Sequence, residues 1–310
     1  MRPSFASVRS SSGSVVPLHR TAQPNPTAIT LDDWKLVALL GESETSRVYA
    51  AAPSSQQAAD PAACDYAVKQ IVHSDEAMLA RFRREIALGK SLSHPHLMPT
   101  LAANTEHETP YLVMPRVHGC GLHTILDQHG PCSIGRTLWI ARQLTDGLAH
   151  LHHEGWVHAD VKPGNVMIAE TGHVTLLDMG LAVNISEAAT GEFTAFHGTV
   201  EYAAPELFLS RHCLTPASDI YSLGVTLYQL LTGRLPFGGS TAAQLAEAHL
   251  RSVPPSARTY VPQLPTRMGR LLERMLAKEP ARRPATDGEL QEELLRIEID
   301  VFAMVGSAAA

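Results

Sequence analysis

One stretch, His158 to Gly180 (HADVKPGNVMIAETGHVTLLDMG), constrains the chain more than any other. It sets Asp160, Lys162, Asn165 and Asp178 around one polar turn and one short β-hairpin. Two carboxylates, an amide and an ammonium at this spacing suit metal and phosphate chemistry better than core packing, because unpaired charges are costly to bury.

The chain has 310 residues, enough for one large or two smaller lobes around a sizeable core. Its 45% hydrophobic content is that of a soluble globular protein, and its net charge of -6 argues against a nucleic-acid or membrane-surface binder. The four cysteines, Cys64, Cys120, Cys132 and Cys213, lack CxxC spacing, so neither a zinc site nor a disulfide framework is signalled. Reduced thiols and the lack of a secretory signal or membrane-length apolar run lead to the expectation of a cytoplasmic protein. Sixteen histidines raise a metal hypothesis, strongest at HLHHEGWVH with His150, His152, His153 and His158. No HExxH or matching carboxylate spacing accompanies it, so a polar helix end is the better reading.

Residues 1–30 are rich in Ser, Pro and Arg without apolar periodicity, and read as a flexible leader, a plain tail rather than a transit peptide. From Trp34 the short apolar runs WKLVALL, RVYAA and DYAVKQIV predict a three-strand antiparallel meander, with a solvent loop from Pro53 to Ala63. Residues 75–92 carry Met78, Leu79, Phe82 and Ile86 at helical spacing, with acids first and bases last, and predict an amphipathic helix. Strands near 97–103 and 111–114 complete a five-strand lobe. Beyond Gly119, helices are expected near 121–128, 134–153, 216–232, 241–250, 267–277 and 286–298. The chain is thus α+β in two lobes, whose cleft is a natural ligand site.

These residues, in this order, resemble the eukaryotic-type serine/threonine protein kinases also found in bacteria, from about Leu31 to Leu295. The resemblance implies a bilobal protein-kinase-like fold, with a small β-rich N-lobe carrying one helix (about 31–117) and a large mainly helical C-lobe (about 118–298). A short tail, 299–310, follows. AVK at Ala67–Lys69 resembles the small-lobe lysine strand, where Lys69 would hold the α- and β-phosphates of ATP; alone it would read as an edge lysine. Glu85 matches the helix glutamate that pairs with it. In HxDxKxxN, Asp160 would orient the attacking hydroxyl and accept its proton, Lys162 would neutralise the γ-phosphate, and Asn165 would ligate magnesium. Lys162, two residues after the aspartate, resembles serine/threonine rather than tyrosine kinases. Asp178-Met179-Gly180 stands at the DFG position, with Asp178 as the second metal ligand and Met179 as a flexible apolar replacement.

By the same resemblance, Leu40, Val48, Ala67 and Met167 would sandwich adenine, with Met114 as gatekeeper and Pro115 to Val117 as hinge. Pro115 lacks an N-H but keeps the carbonyl used there, and Val117 supplies the N-H. Ala204-Pro205-Glu206 and Arg283 match a structural ion pair, Asp219 a buried brace of the catalytic loop, and Thr199 a contact of Asp160 and Lys162. The implied ligands are ATP and Mg2+, with Mn2+ as the alternative metal. The implied partners are protein substrates and a regulatory partner or opposing phosphatase, with neither nucleic acid nor membrane.

Three departures stand out. The phosphate-covering turn GESETSRVYA keeps only Gly41, with Ser43 and Ser46 in place of the other glycines. Gly89, one turn after Glu85, replaces a large apolar residue and is expected to leave a gap or to need a neighbour to fill it. These two departures support the alternative of a pseudokinase serving as a nucleotide-binding or scaffolding module. Ala159 removes the arginine that would meet a phosphorylated activation segment. The expected result is that replacing Ser186, Thr190 and Thr194 together by alanine leaves phosphoryl transfer measurable in a labelled-ATP assay; complete loss would contradict this.

Overall fold

The computed structural model describes residues 24–56, 60–72, 75–190, 198–209 and 214–308. Most of the leader, Thr194, His197, Cys213 and the last two residues therefore lie outside the described residues. The chain divides into two compact units. One holds the described residues up to Gln128 together with Pro163–Leu181; the other holds His129–Lys162 and the chain from Ala182 onward.

The first unit is built on six strands: β1 (Pro24–Leu31), β2 (Trp34–Glu42), β3 (Ser46–Pro53), β4 (Tyr66–Ile71), β5 (Ala102–Asn104) and β6 (Tyr111–Pro115). Their spatial order is β1-β2-β3-β4-β6-β5, every pairing antiparallel. The meander forms as the alternation predicts. Pro24–Leu31, read from sequence as the end of the leader, instead supplies a sixth strand, because its backbone pairs with β2.

The period-2 alternation of strand side chains sorts this sheet into two faces. Tyr49, Ala51, Val68, Tyr111 and Val113 pack on one face, and Ile71 and Leu112 pack on the other against Phe82 and Ile86 of α1 (Glu76–Ser91). Asp75 caps that helix by accepting the Met78 N-H at 2.7 Å. A second, three-stranded sheet joins β7 (Gly119–Gly121), β9 (Val166–Ala169) and β10 (Val174–Leu176), and α2 (Leu122–His129) follows β7. Backbone bonds stitch the β9–β10 hairpin to the segment before β5: Met98 N-H to Leu176 O at 3.0 Å, and Leu176 N-H to His96 O at 2.9 Å. Pro163–Leu181 therefore belongs with the sheets, whereas the sequence suggests a single cut near residue 117.

The second unit contains α3 (Ile134–His153), the two-strand pair β8 (Trp156–Val157) and β11 (Val183–Asn184), α4 (Ile185–Thr190) and α5 (Pro216–Thr232). Then follow α6 (Ala242–Arg251), α7 (Ala257–Tyr260), α8 (Thr266–Met275) and α9 (Asp287–Ala308). Helix α5 is its centre. A reciprocal Thr215–Ser218 capping box and Pro216 start it, left-handed Gly233 (φ 70°) stops it, and residues from Ser218 to Leu231 are almost all buried. α3 and α8 pack against it, and α9 packs along α3. The last helix runs to Ala308 rather than ending near 298, so most of the expected tail is helical. Among the described residues no helix is long and apolar enough to cross a membrane.

Arg283 is the largest fully buried side chain. Its guanidinium donates two parallel bonds to Glu206, 2.7 Å each, and a third to the Ala217 carbonyl at 2.7 Å. Ser218 Oγ donates to the same carboxylate at 2.7 Å. This pairing ties the segment before α5 to the one before α9, as the sequence match anticipates. Arg283→Ala strands a buried carboxylate and should cost about 3–5 kcal/mol, read as a lowered urea midpoint.

Candidate active site

The sheet register assembles the first cluster. Val48 pairs with Lys69, Ala67 with Met114, and Lys69 with Leu112, so these side chains share one face. They line a cavity of about 260 Å³. Its walls also carry Leu40, Gly41, Pro115, Val117 and Met167, and Glu85, Asn165 and Asp178. The structure thus gathers every residue of the expected adenine and metal sets in one cavity, apolar over much of its wall and charged at one side.

Lys69 Nζ lies 2.8 Å from both Glu85 carboxylate oxygens and 3.3 Å from Asp178 Oδ2. The Lys69 and Glu85 side chains are each only 13% exposed, whereas Asp178 is 46% exposed, so the pair is shielded and Asp178 is open to a ligand. Burial opposes charge on Lys69, but the Asp178 and Glu85 carboxylates outweigh it and raise the lysine pKa. Burial, reinforced by Asp178, pushes Glu85 up to about 7 against the pull of Lys69. One ammonium between two carboxylates leaves surplus negative charge, which a cation would neutralise. Asp178 has left-handed φ (60°) and accepts the Gly180 N-H at 3.3 Å; Met179 is buried, as its expected packing role requires. Leu177 N-H donates to the Asn165 carbonyl at 2.8 Å, setting the two expected metal-ligand loops side by side.

Among the described residues no group of three or more His, Cys, Asp or Glu could hold a metal ion. Asn165 and Asp178, both on the cavity wall, present oxygen donors, the ligand type a hard cation such as magnesium prefers.

Two departures acquire a physical form here. Ser43 closes the β2–β3 turn: its Oγ accepts the N-H of Thr45 at 3.3 Å and of Ser46 at 3.0 Å. Two amides of the phosphate-covering turn are thus already satisfied by a side chain. At Gly89 there is no gap, because Thr100 lies directly against it and its N-H donates to the Gly89 carbonyl at 2.8 Å. Thr100 carries no signal of this contact in the sequence, and neither does Arg116, within the expected hinge, whose guanidinium donates to the Pro61 and Cys64 carbonyls. Arg116 anchors the end of the 53–63 loop to the segment after β6, so that end is not free in solvent. An arginine flanked by Pro115 and Val117 carries no local signal of a partner so distant in sequence.

The second cluster lies in the other unit. Asp160 Oδ1 accepts from the Thr199 N-H at 3.2 Å and from its hydroxyl at 3.0 Å, and Asp160 Oδ2 is 2.6 Å from Lys162 Nζ. Lys162 also donates to Thr199 Oγ1. Asp219, fully buried, accepts the backbone N-H of His158 at 2.7 Å and of Ala159 at 2.9 Å. Ala159 has φ 66°, a left-handed conformation that costs a non-glycine residue on the order of 1 kcal/mol. The two bonds to Asp219 hold it there and so fix the direction of the turn carrying Asp160.

Residues 34–295 match the family described as Protein kinase domain. The chain is 33% identical over 222 residues to the serine/threonine-protein kinase PrkC of Bacillus subtilis (strain 168), covering 71% of this chain and 34% of that protein. It is 37% identical over 226 residues to the serine/threonine-protein kinase PknA of Mycobacterium tuberculosis (strain ATCC 25618 / H37Rv), covering 71% and 52%. With the serine/threonine-protein kinase pkn3 of Myxococcus xanthus it shares 33% identity over 276 residues, covering 86% and 50%. The chain therefore spans from about a third to a half of the length of these relatives.

His152, from the histidine run, is 4% exposed and lies 2.8 Å from Asp219 Oδ2 and 2.9 Å from Asp287 Oδ2. Burial disfavours its charge, but hydrogen bonds to the two aspartates outweigh burial and push it up to about 9 from 6.5. A histidine raised on folding stabilises fully below its unfolded value and loses that contribution as pH rises through the folded one. Stability should fall by on the order of 3 kcal/mol between pH 6.5 and 9. The His152 resonance should titrate near pH 9, and lower in Asp287→Asn; titration below pH 7 would contradict the pairing.

Proposed function

The chain belongs to the protein kinase domain family, and we propose that it is a protein serine/threonine kinase transferring the γ-phosphoryl group of ATP to a protein hydroxyl. The observation that carries this reading is the Lys69–Glu85–Asp178 charge cluster at one side of a cavity whose wall is otherwise mostly apolar. An apolar slot suits a purine, and an ammonium held by a buried carboxylate suits a polyphosphate. A module without turnover has no chemical need for Lys69, Glu85, Asp160, Asn165 and Asp178 together.

In this proposal Leu40, Val48, Ala67 and Met167 hold the base, Met114 bounds the pocket, and Gly41 belongs to the turn over the phosphates. The Pro115 carbonyl and Val117 N-H meet the adenine edge. Lys69 binds the α- and β-phosphates, and Glu85 keeps its ammonium from swinging away. Asn165 and Asp178 would hold Mg2+, with Mn2+ as a substitute, which when bound would offset phosphate charge. Asp160 accepts the proton of the attacking hydroxyl as the oxygen–phosphorus bond forms and the bond to the leaving ADP oxygen breaks. Lys162 offsets charge on the transferred group, and Thr199 holds both side chains in register. Catalysis of this kind is positioning and charge stabilisation rather than covalent chemistry.

With Ala159 in the catalytic loop, the kinase is of the non-RD type, whose activity does not hinge on a phosphorylated activation segment. Autophosphorylation, a cytoplasmic setting and control by a regulatory partner or opposing phosphatase complete the proposal. The pseudokinase reading draws on one observation, the occupation of the Thr45 and Ser46 amides by Ser43. Labelled-phosphate transfer by the purified chain with magnesium decides between them. Lys69→Met and Asp160→Asn should each lower the rate by about 100-fold or more, roughly 2.7 kcal/mol of transition-state stabilisation. Equal labelling in all three proteins would defeat the kinase reading.

A further inference from the structure

Arg81, Glu85 and Gly89 recur every four residues on α1 and so share one face of it. Each makes a contact at a different depth. The Arg81 carbonyl stands beside Gly180, where an added Cβ would come within 3.4 Å of it. Glu85 holds Lys69, and the Gly89 carbonyl accepts the Thr100 N-H at 2.8 Å.

Gly89 is buried and Thr100 is 8% exposed. A Cβ at Gly89 would stand 2.9 Å from Thr100 N and 3.0 Å from Thr100 Cβ, and closer still to its Oγ1. A side chain tip can turn aside, but a backbone nitrogen cannot, so any larger residue must move either the helix end or the segment carrying Thr100. That segment is itself pinned to the sheet, since Leu101 N-H donates to the Val113 carbonyl of β6 at 2.8 Å. Glycine inside a helix costs about 1 kcal/mol relative to alanine. Here the close approach it permits is what offsets that cost.

We propose that Gly89 and Thr100 form a backbone latch that sets the depth of α1 on the sheet and thereby positions Glu85 against Lys69. The proposal rests on the kinase reading for its catalytic consequence, and both are positioning residues. Glu85 lies one turn from the latch, and an outward shift of about 1 Å carries a 2.8 Å bond beyond useful hydrogen-bond range. Misplacement on that scale costs on the order of 100-fold in rate.

The test combines three measurements on the full chain: kcat and KM for ATP, hydrogen exchange of the Thr100 amide, and acylation of Lys69 by acetic anhydride read by mass spectrometry. Gly89→Ala should lower kcat about 10- to 100-fold with KM changed less than about threefold. It should also remove protection of the Thr100 amide and speed Lys69 acylation. In a Glu85→Gln background the same change should add nothing to either the kcat or the acylation effect, which a general loss of stability would not reproduce. Adding Thr100→Ala should leave Gly89→Ala unrescued, because the amide remains.

Full rescue by Thr100→Ala, an unchanged kcat, a retained Thr100 protection, or an equal loss in the Glu85→Gln background would each overturn the latch. A wild type that transfers no phosphate would sink the kinase reading instead, and exchange with acylation would then decide the latch. Should Gly89→Ala not fold, the wild type decides: Thr100 must exchange in step with the amides of α1. Exchange in step with β6 would overturn the proposal.

Discussion

The site depends on one electrostatic arrangement: a buried ammonium, Lys69, shared by the shielded carboxylate of Glu85 and the more open one of Asp178. An isolated charge at 13% exposure would be expensive, so Lys69 can sit on a sheet face only if a helix brings a carboxylate to it. The pair therefore specifies where α1 must lie and which face of it must look inward. Asp178 goes further than pairing requires. Two carboxylates on one ammonium leave the cluster short of positive charge, and burial holds Glu85 near 7. A cation near Asp178 would relieve that imbalance.

The second unit solves a related problem with backbone donors. Asp219 accepts the His158 and Ala159 amides and also faces His152, which in turn meets Asp287 at the start of α9. A strained turn at Ala159 is thereby fixed by a fully buried carboxylate that is itself anchored from a distant helix. Glu206 and Arg283 repeat the device with fork-to-fork geometry. In both cases the central carboxylate, Asp219 or Glu206, accepts at least three hydrogen bonds, the condition under which buried charge adds definition rather than only cost.

Much of this was legible in the sequence because it is written in local periods. The alternation of WKLVALL and DYAVKQIV predicts the strands of the meander, and apolar periodicity predicts helices near 134–153 and 216–232, where α3 and α5 form. Asp160, Lys162, Asn165 and Asp178 stand out as a polar grouping on one short stretch, whereas Lys69 and Glu85 could be picked out only through the resemblance to the kinase family, since each alone reads as an ordinary edge lysine or helix acid. Less legible were features made by contact between segments far apart. Pro24–Leu31 shows little strand pattern yet pairs with β2, because an edge strand needs only a partner's free backbone groups. Ser43 reads as a lost glycine, while its hydroxyl in fact organises the turn.

The sequence by itself determined the α+β class and the family resemblance, since these depend on residue type and spacing along the chain. Only the tertiary structure decided how closely α1 approaches the sheet, how Arg116 and His152 are used, and that Gly89 is a contact instead of a void. Those outcomes turn on the backbone of Thr100, the carbonyls of Pro61 and Cys64, and the carboxylates of Asp219 and Asp287. A backbone amide or carbonyl is the same group at nearly every position. Its partner is therefore settled by packing distance, which side-chain letters do not encode.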